Sequence, residues 1–459
     1  MGAVTLPSQA VDNEKRLQEL IITKSQRLTS SIRLDAKDLY VSDYVLTLNP
    51  EKMVNQAQKL ETQTKILNLH GIAVAGSKSI LREYVVGVFQ TKAIFIYQSQ
   101  ENAQLVSNSN KKYKRSFKKI SSQDNSKEVR RVRNLSIRAI YALGLDYGIV
   151  KCGIGIGRRT LVIQVYPTPK VNLIMAQEFG KAIAQYANQT QIDHQLNEVV
   201  LGADPEFVMQ SPKGHLLIAS KYFPLKGKVG CDAIWMGQNH ANKPIVEVRP
   251  DPTSDPHTLV VNIYKGLLFA ARKMKNVPSK WLTGAMPYKG FPLGGHIHFS
   301  GIQPDFKLLR ALDNYLTLPL VNIEDDRGKA RRPKYGFLGD FRYQPHGGFE
   351  YRTPPSWLIS PMLCKGVFMA AQVIVANYKQ LQYQPLEHLE MQQAYYRGDK
   401  DEIKEIIQYL WEDLKELDDY RVYKKTLDLF YSYLISGMSW DERTDFRKQW
   451  RIPPFQDKD

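Results

Sequence analysis

The stretch Val199–Met209, VVLGADPEFVM, sets two carboxylates, Asp204 and Glu206, into an otherwise apolar run. Read as a β-strand, it sends alternate side chains to opposite faces, so the two acids project to one side. Three later segments repeat the arrangement. KPIVEVRP places Glu247 and Arg249 two residues apart, GGHIHFSG does so for His296 and His298, and GGFEYRTPPSW for Glu350 and Arg352. The residues between and beside them (Phe207, Val246, Val248, Ile297, Phe299 and Tyr351) suit a hydrophobic layer behind the strands. Four short strands, each with a polar pair on one face and Gly or Pro close by, predict a sheet with one apolar face and one chemically equipped face.

Carboxylates that share a space repel one another and are costly to desolvate unless cations or arginines neutralise them. Hard divalent ions with oxygen ligands, Mg²⁺ or Mn²⁺, suit Asp and Glu with a single His better than zinc does. Interleaved arginines point to an anionic group such as a triphosphate bridging the metals. Between the third and fourth strands runs EDDRGKARRPKYGFLGDFRYQPHGG, with Arg327, Lys329, Arg331, Arg332, Lys334 and Arg342 in a Gly-punctuated loop that reads as a phosphate clamp. The glycines beside HIHF remove bulk from that strand, which would let a nucleotide approach closely.

Working outward, helices carry clear start signals. Asp255-Pro256 opens an amphipathic helix with Leu259, Ile263, Leu267, Ala270 and Met274 on one face, and Ser360-Pro361 opens another. Pro is tolerated at the first helical position because that N–H has no partner. Residues 402–417 form a further amphipathic helix, and Ser439 with Glu442 three residues on reads as a capping box for a last one. Toward the N-terminus, residues 81–98 read as two strands. NLSIRAIYALGLDYGIVKCGIGIGRRTLVIQVYPTPK then reads as helix, strand, hairpin and strand, and IGIGRR lacks the spacing of a phosphate loop. Strands and helices do not alternate strictly, which favours an α+β architecture over a doubly wound sheet. The expected division is a polar tail at 1–30, a smaller α/β domain at 31–192, and a larger domain at 193–459.

Hydrophobic content of 43% and charged content of 24% are those of a globular chain. The net charge of +17 is concentrated in places: residues 111–133, KKYKRSFKKISSQDNSKEVRRVR, hold ten Lys or Arg against two acids and are expected to be a loop or frayed helix. Charge of this kind, without a recognition motif, gives no reason to expect a specific nucleic-acid partner. The three cysteines are far apart, with no CxxC, which excludes a cysteine zinc site and a disulfide framework. Neither a signal-peptide run nor a long apolar span occurs, so a cytoplasmic protein without a membrane partner is expected.

The ordered set GADPEF, EVRPDP, GGHIHFSG, YGFLGDFR and FEYRTPPSW resembles the carboxylate–amine ligase superfamily of glutamine synthetase and γ-glutamylcysteine ligase. In detail it resembles the phage-type COOH–NH2 ligases, type 2. The resemblance implies a curved antiparallel sheet with flanking helices, whose concave face binds ATP and Mg²⁺ or Mn²⁺. Carried over by motif, Asp204, Glu206, Glu247, His296 and Glu350 are metal ligands, with Asp204 standing where better-known relatives have Glu. Arg352 faces phosphate or the acyl-phosphate intermediate, and Arg342 and one of Arg331 or Arg332 lie along the nucleotide phosphates. Lys334 and Arg249 also serve the nucleotide, and His298 supports a ligand or contacts substrate. The implied reaction joins a carboxylate to an amine through an acyl phosphate, on a small-molecule or peptide substrate. Such relatives also imply self-association and a cytoplasmic, spore-associated or phage-encoded setting. The N-terminal half resembles a degenerate ATP-grasp portion, with Gln164 and Tyr166 where a Glu-x-Asn is usual. That leaves a second function class open, an inactive ligase fold serving as an assembly scaffold.

Overall fold

The computed structural model describes residues 2–4, 46–76, 80–100, 116–190, 195–232, 242–345 and 347–455. The chain divides into two compact units, Met1–Asp193 and His194–Asp459. No helix among the described residues is long and apolar enough to cross a membrane.

In the first unit, two short helices, α1 (Glu51–Gln58) and α2 (Leu60–Leu69), precede the sheet. Strands β1 (Ile80–Phe89) and β2 (Lys92–Ser99) form an antiparallel hairpin. With β3 (Phe117–Ile120), helix α3 (Lys127–Ala142), β4 (Tyr147–Gly155), β5 (Thr160–Tyr166) and helix α4 (Leu173–Thr190), they build a five-stranded sheet of order β3-β2-β1-β4-β5. Alternation along the strands decides what packs where. Tyr147 and Ile149 share a core with Phe179 and Ile183 of α4, whereas Gly148 abuts Ile140 of α3, so the two helices cover opposite faces. Gln164 and Tyr166 are exposed on β5.

The basic segment differs from expectation where it is described. Residues 117–120 are a paired strand, and Lys127 onward is a regular helix whose Ser126 cap accepts the Val129 N–H. A hydroxyl cap and an apolar face at Val129, Val132 and Ala139 outweigh the crowding of positive charge on the solvent side. Residues 111–115 lie outside the described residues, as does the polar tail apart from Gly2–Val4. All three cysteines are buried free thiols, and burial pushes Cys152 up to about 12, which makes it unreactive.

In the second unit the opening stretch is not one strand. β6 (Val200–Ala203) stops before Asp204, and β7 (Glu206–Gln210) starts after Pro205, in a different sheet. Pro205 has no N–H to give a ladder, so the chain turns there and changes sheet. β7 pairs with β8 (Leu216–Leu217), and β9 (Val229–Asp232) with β10 (Ile245–Val248), which itself pairs with β7. Helix α5 (Pro256–Lys273) follows, then β11 (Lys280–Leu282), which also joins β7. The second sheet has the order β13-β14-β12-β6, with β12 at Ile297–Ser300, β13 at Phe341–Tyr343 and β14 at Phe349–Tyr351.

Backbone bonds carry on around the corner. Glu206 N–H reaches Gly294 O at 3.1 Å, and Val248 N–H reaches Pro205 O at 3.1 Å. The named ladders of this unit are antiparallel, and the result is a curved α+β layer. Behind it, Phe207 stacks on Trp281 at 4.7 Å, and Phe299 packs on Phe349 at 5.2 Å.

The helices supporting this layer start as their sequences dictate. Asp255 accepts the His257 and Thr258 N–H groups ahead of α5, and Ser360 accepts that of Leu363 ahead of the helix Pro361–Asn377. Residues 400–415 form the expected amphipathic helix. The capping box at Ser439 does not form. Glu442 instead turns inward, is fully buried, and accepts the N–H groups of Ala285 and Met286. Two inward backbone donors at a fixed position outcompete the single exposed N–H that a cap would have satisfied.

Candidate active site

Register places the polar residues in rows. Arg342, Glu350, His298 and Gly202 lie directly opposite one another across β13, β14, β12 and β6. The next row holds His296 and Asp204, joined by the Asp204 N–H to His296 O bond of 3.4 Å. Around the corner, Glu206 stands directly opposite Glu247, and Gly230 lies on the far side of Glu247. Both glutamates are 7% exposed. Like charges directly opposed on a sheet are destabilising, and burial sharpens the cost.

The titration of these groups follows from that crowding. Burial raises Glu206 to about 7 against the pull of His296 and the Gly294 N–H, which donates to its carboxylate at 2.6 Å. Burial, with Asp204 close by, raises Glu247 to about 7 although Arg249 opposes it. Burial alone would raise Asp204 too, but His296 and His298 hold it well below the usual carboxylate range. Burial alone would lower His296, yet Asp204 and Glu206 lift it to about 9.

Glu350 is fully buried beside Arg342, Gln344, Arg352 and the His296 ring, whose Nδ1 lies 3.4 Å away. Arg342 donates through Nε and Nη2 at 2.7 Å each, and Gln344 donates at 2.6 Å. Arg352 Nε lies 3.0 Å from its other side. Asp340, Glu350 and Asp204 outweigh burial and raise the pKa of Arg352, so it stays cationic. From behind, Tyr351 donates to Asp313 at 2.5 Å and lies 2.7 Å from the Thr317 hydroxyl, which fixes the strand that carries Glu350 and Arg352. The hydroxyls of Thr283 and Ser356 do the same for β7, meeting the Glu206 carbonyl at 3.0 and 2.7 Å.

The donor set fits a hard divalent cation. Ligand atoms of Asp204, His298 and Glu350 lie within 4.8 Å of one another. Asp204 Oδ1 is 3.0 Å from His296 Nδ1, and His298 Nε2 is 3.3 Å from Asp204 Oδ2, but neither approach has hydrogen-bond geometry. Both Asp204 Oδ1 and His298 Nε2 are therefore buried without a hydrogen bond and lie in one cluster, which leaves their lone pairs open to a cation. The triad includes His298 rather than His296. His296 is nearly buried between Asp204 and Glu350, and its Nε2 side fills the space above Gly294.

The expected phosphate clamp is only partly present. Arg331 is buried, with Nη1 on Thr353 O at 2.8 Å and Nη2 on Pro354 O at 3.0 Å. Arg332 is buried beside Glu324 at 2.6 Å and lies over the Tyr395 ring at 5.1 Å. Both guanidiniums hold the fold, because carbonyls and a buried glutamate offer them better partners than water. Lys334 is exposed, 5.5 Å above the Tyr335 ring. Among the described residues, Arg249, Arg342 and Arg352 are cations that line the carboxylate face.

The glycines of GGHIHFSG likewise serve the protein itself. A Cβ on Gly294 would sit 2.2 Å from His296 Nε2, and one on Gly295 would meet Pro355 O at 2.3 Å. Gly230 is a third such position: its missing Cβ leaves room for Arg249, whose Nη1 would lie 2.0 Å away. Sequence reasoning passed over Gly230 and Gln344, since neither stands in a patterned pair. Gln344 carries one faint signal, its spacing of two from Arg342, just past the end of β13.

One face of this curved antiparallel layer thus bears buried carboxylates, histidines and arginines. Residues 201–452, more than half of the chain, match the family described as Phage phiEco32-like COOH.NH2 ligase-type 2, and the chain belongs to that family. No curated protein matches it. Among solved structures it is similar to a bifunctional glutathione synthetase from Pasteurella multocida, with 11% identity and a TM-score of 0.32 over 55% of this chain and 50% of that one. The chain thus spans about half the length of that enzyme. It is also similar to macrocyclase MdnC from Microcystis aeruginosa MRC, solved bound with precursor peptide MdnA, with 11% identity and a TM-score of 0.24 over 40% of this chain and 99% of that one.

Proposed function

We propose that the protein is an ATP-dependent ligase that works with Mg²⁺ or Mn²⁺ and joins a substrate carboxylate to an amine through an acyl phosphate. One observation carries the reading: Glu206 and Glu247, buried and directly opposed, adjoin the Asp204–His298–Glu350 cluster on a face lined by three arginines. Such a concentration of buried carboxylate is costly unless protons or cations neutralise it.

Asp204, Glu206, Glu247, His298 and Glu350 would hold the ions, with His296 orienting Asp204 and Glu350. Bound divalent ions would neutralise phosphate oxygens and polarise the transferred phosphoryl group. Arg352, held cationic, supports the charge that builds on that group, and Arg342 and Arg249 bind the phosphates bidentately. The substrate carboxylate attacks the γ-phosphorus and ADP leaves. The amine then attacks the acyl carbon, inorganic phosphate departs, and the amine's proton passes to a nearby carboxylate. The substrates are a small molecule or peptide with a free carboxylate and an amine co-substrate.

The test is ADP release with Mg²⁺ and ATP across a panel of amino acids and peptides, comparing wild type with Glu247→Ala. Amine- and carboxylate-dependent release by wild type alone is expected. Release of the same size from both proteins, with a substrate that wild type demonstrably ligates, would sink the proposal.

A further inference from the structure

Two kinds of arginine surround the carboxylate face, and the difference between them has a consequence for binding. Arg331 and Arg332 are sealed in, the latter with a side chain 2% exposed. Arg249 and Arg342 keep 32% and 57% of their side chains in solvent, yet each places its fork on a carboxylate that belongs to the proposed ion site. Arg249 donates through Nε to Glu247 Oε1 at 3.1 Å and through Nη2 to Oε2 at 2.5 Å. Arg342 grips both oxygens of Glu350 in the same way.

A guanidinium and a divalent cation draw on the same carboxylate lone pairs. Glu350 already accepts two bonds from Arg342 and one from Gln344, so three of its about four lone-pair sites are taken and an ion competes with these donors. Both side chains are partly open to water, so each can turn off its carboxylate, Arg249 at the further cost of the bond its Nη1 donates to Leu225 O at 3.2 Å. Phosphate offers them the same planar two-point geometry as carboxylate.

Resting on the ligase reading above, we propose that Arg249 and Arg342 are exchange arginines, which cap Glu247 and Glu350 and move onto nucleotide phosphate when a divalent ion takes those carboxylates. The exchange couples the two ligands. An ion frees a guanidinium for phosphate, and phosphate removes a competitor of the ion, with the same coupling factor in both directions. Gly230 belongs to the device, since any side chain there would expel Arg249 from its cap.

Mn²⁺ alone is the probe, titrated by the paramagnetic resonance signal of the free ion, with ADP binding measured separately by calorimetry. The variants are Arg249→Lys and Arg342→Lys, which preserve charge but remove the fork. Exchange predicts that each variant binds Mn²⁺ about two- to fivefold more tightly, matching the modest worth of a partly exposed ion pair. It also predicts that each binds ADP more weakly and couples the two ligands less strongly. Wild type that binds Mn²⁺ while both lysine variants bind it equally or more weakly would overturn the exchange and leave the ligase reading standing. Wild type that binds no Mn²⁺ at all would overturn both.

Discussion

Glu206→Gln is expected to remove ligase turnover, by about 10²–10³-fold, while making the metal-free protein more stable. The two effects have one cause. Glu206 is 7% exposed, directly opposite Glu247, and burial holds its carboxyl near 7. An unfolded glutamate titrates near about 4.3. The folded state therefore binds more protons than the unfolded state between those values, and stability falls as pH rises through that window. The cost is absent below about pH 4.3 and fully developed above 7. Glutamine keeps an oxygen for the Gly294 N–H and carries no charge, so it escapes the cost.

Thermal melts of chelator-treated protein should show the variant level with wild type at about pH 4. At pH 8 it should be more stable by about 1–3 kcal/mol. Saturating Mg²⁺ should raise wild type more than the variant, since only wild type retains the full ligand set. A variant that melts below wild type at pH 8, or turns over normally, would contradict this account of Glu206.

Arg332→Met has the largest expected effect on folding. Its guanidinium meets Glu324 at 2.6 Å, with both side chains 2% exposed. Removing the cation strands a buried carboxylate, which costs about 3–5 kcal/mol. Pairing it with Glu324→Gln should return much of that loss, because the stranded charge disappears. Molecules that remain folded should keep their affinity for ATP, which separates this arginine from Arg249 and Arg342. A normal melting temperature with a tenfold higher KM for ATP would instead restore Arg332 to the phosphate clamp.

Much of this arrangement was legible in the sequence because strand alternation is a strong constraint. Glu247 beside Arg249, His296 beside His298, and Glu350 beside Arg352 come to one face wherever their strands form. Helix starts at Asp255-Pro256 and Ser360-Pro361 were equally readable, since caps act locally. What escaped depended on partners far away in the chain. Arg331 and Arg332 read as members of a phosphate clamp, and only the fold supplies Thr353 O, Pro354 O and Glu324 to bury them. The motif resemblance pointed to His296 as the ligand, whereas His298 is the histidine clustered with Asp204 and Glu350. Glu442 gave a local capping signal that tertiary N–H donors overrode. The break at Pro205 was visible in the sequence itself, because a proline inside an apparent central strand argues against one continuous strand.

The central claim is that the carboxylates of the two sheets hold divalent ions together with nucleotide. Anomalous diffraction from crystals grown with Mn²⁺ and ADP tests it directly. The account predicts at least one manganese peak coordinated by Glu350, His298 and Asp204, with Glu206 and Glu247 ligating there or at an adjacent peak, and phosphate oxygens completing the shell. Manganese absent from these five side chains, with nucleotide bound elsewhere on the protein, would contradict it.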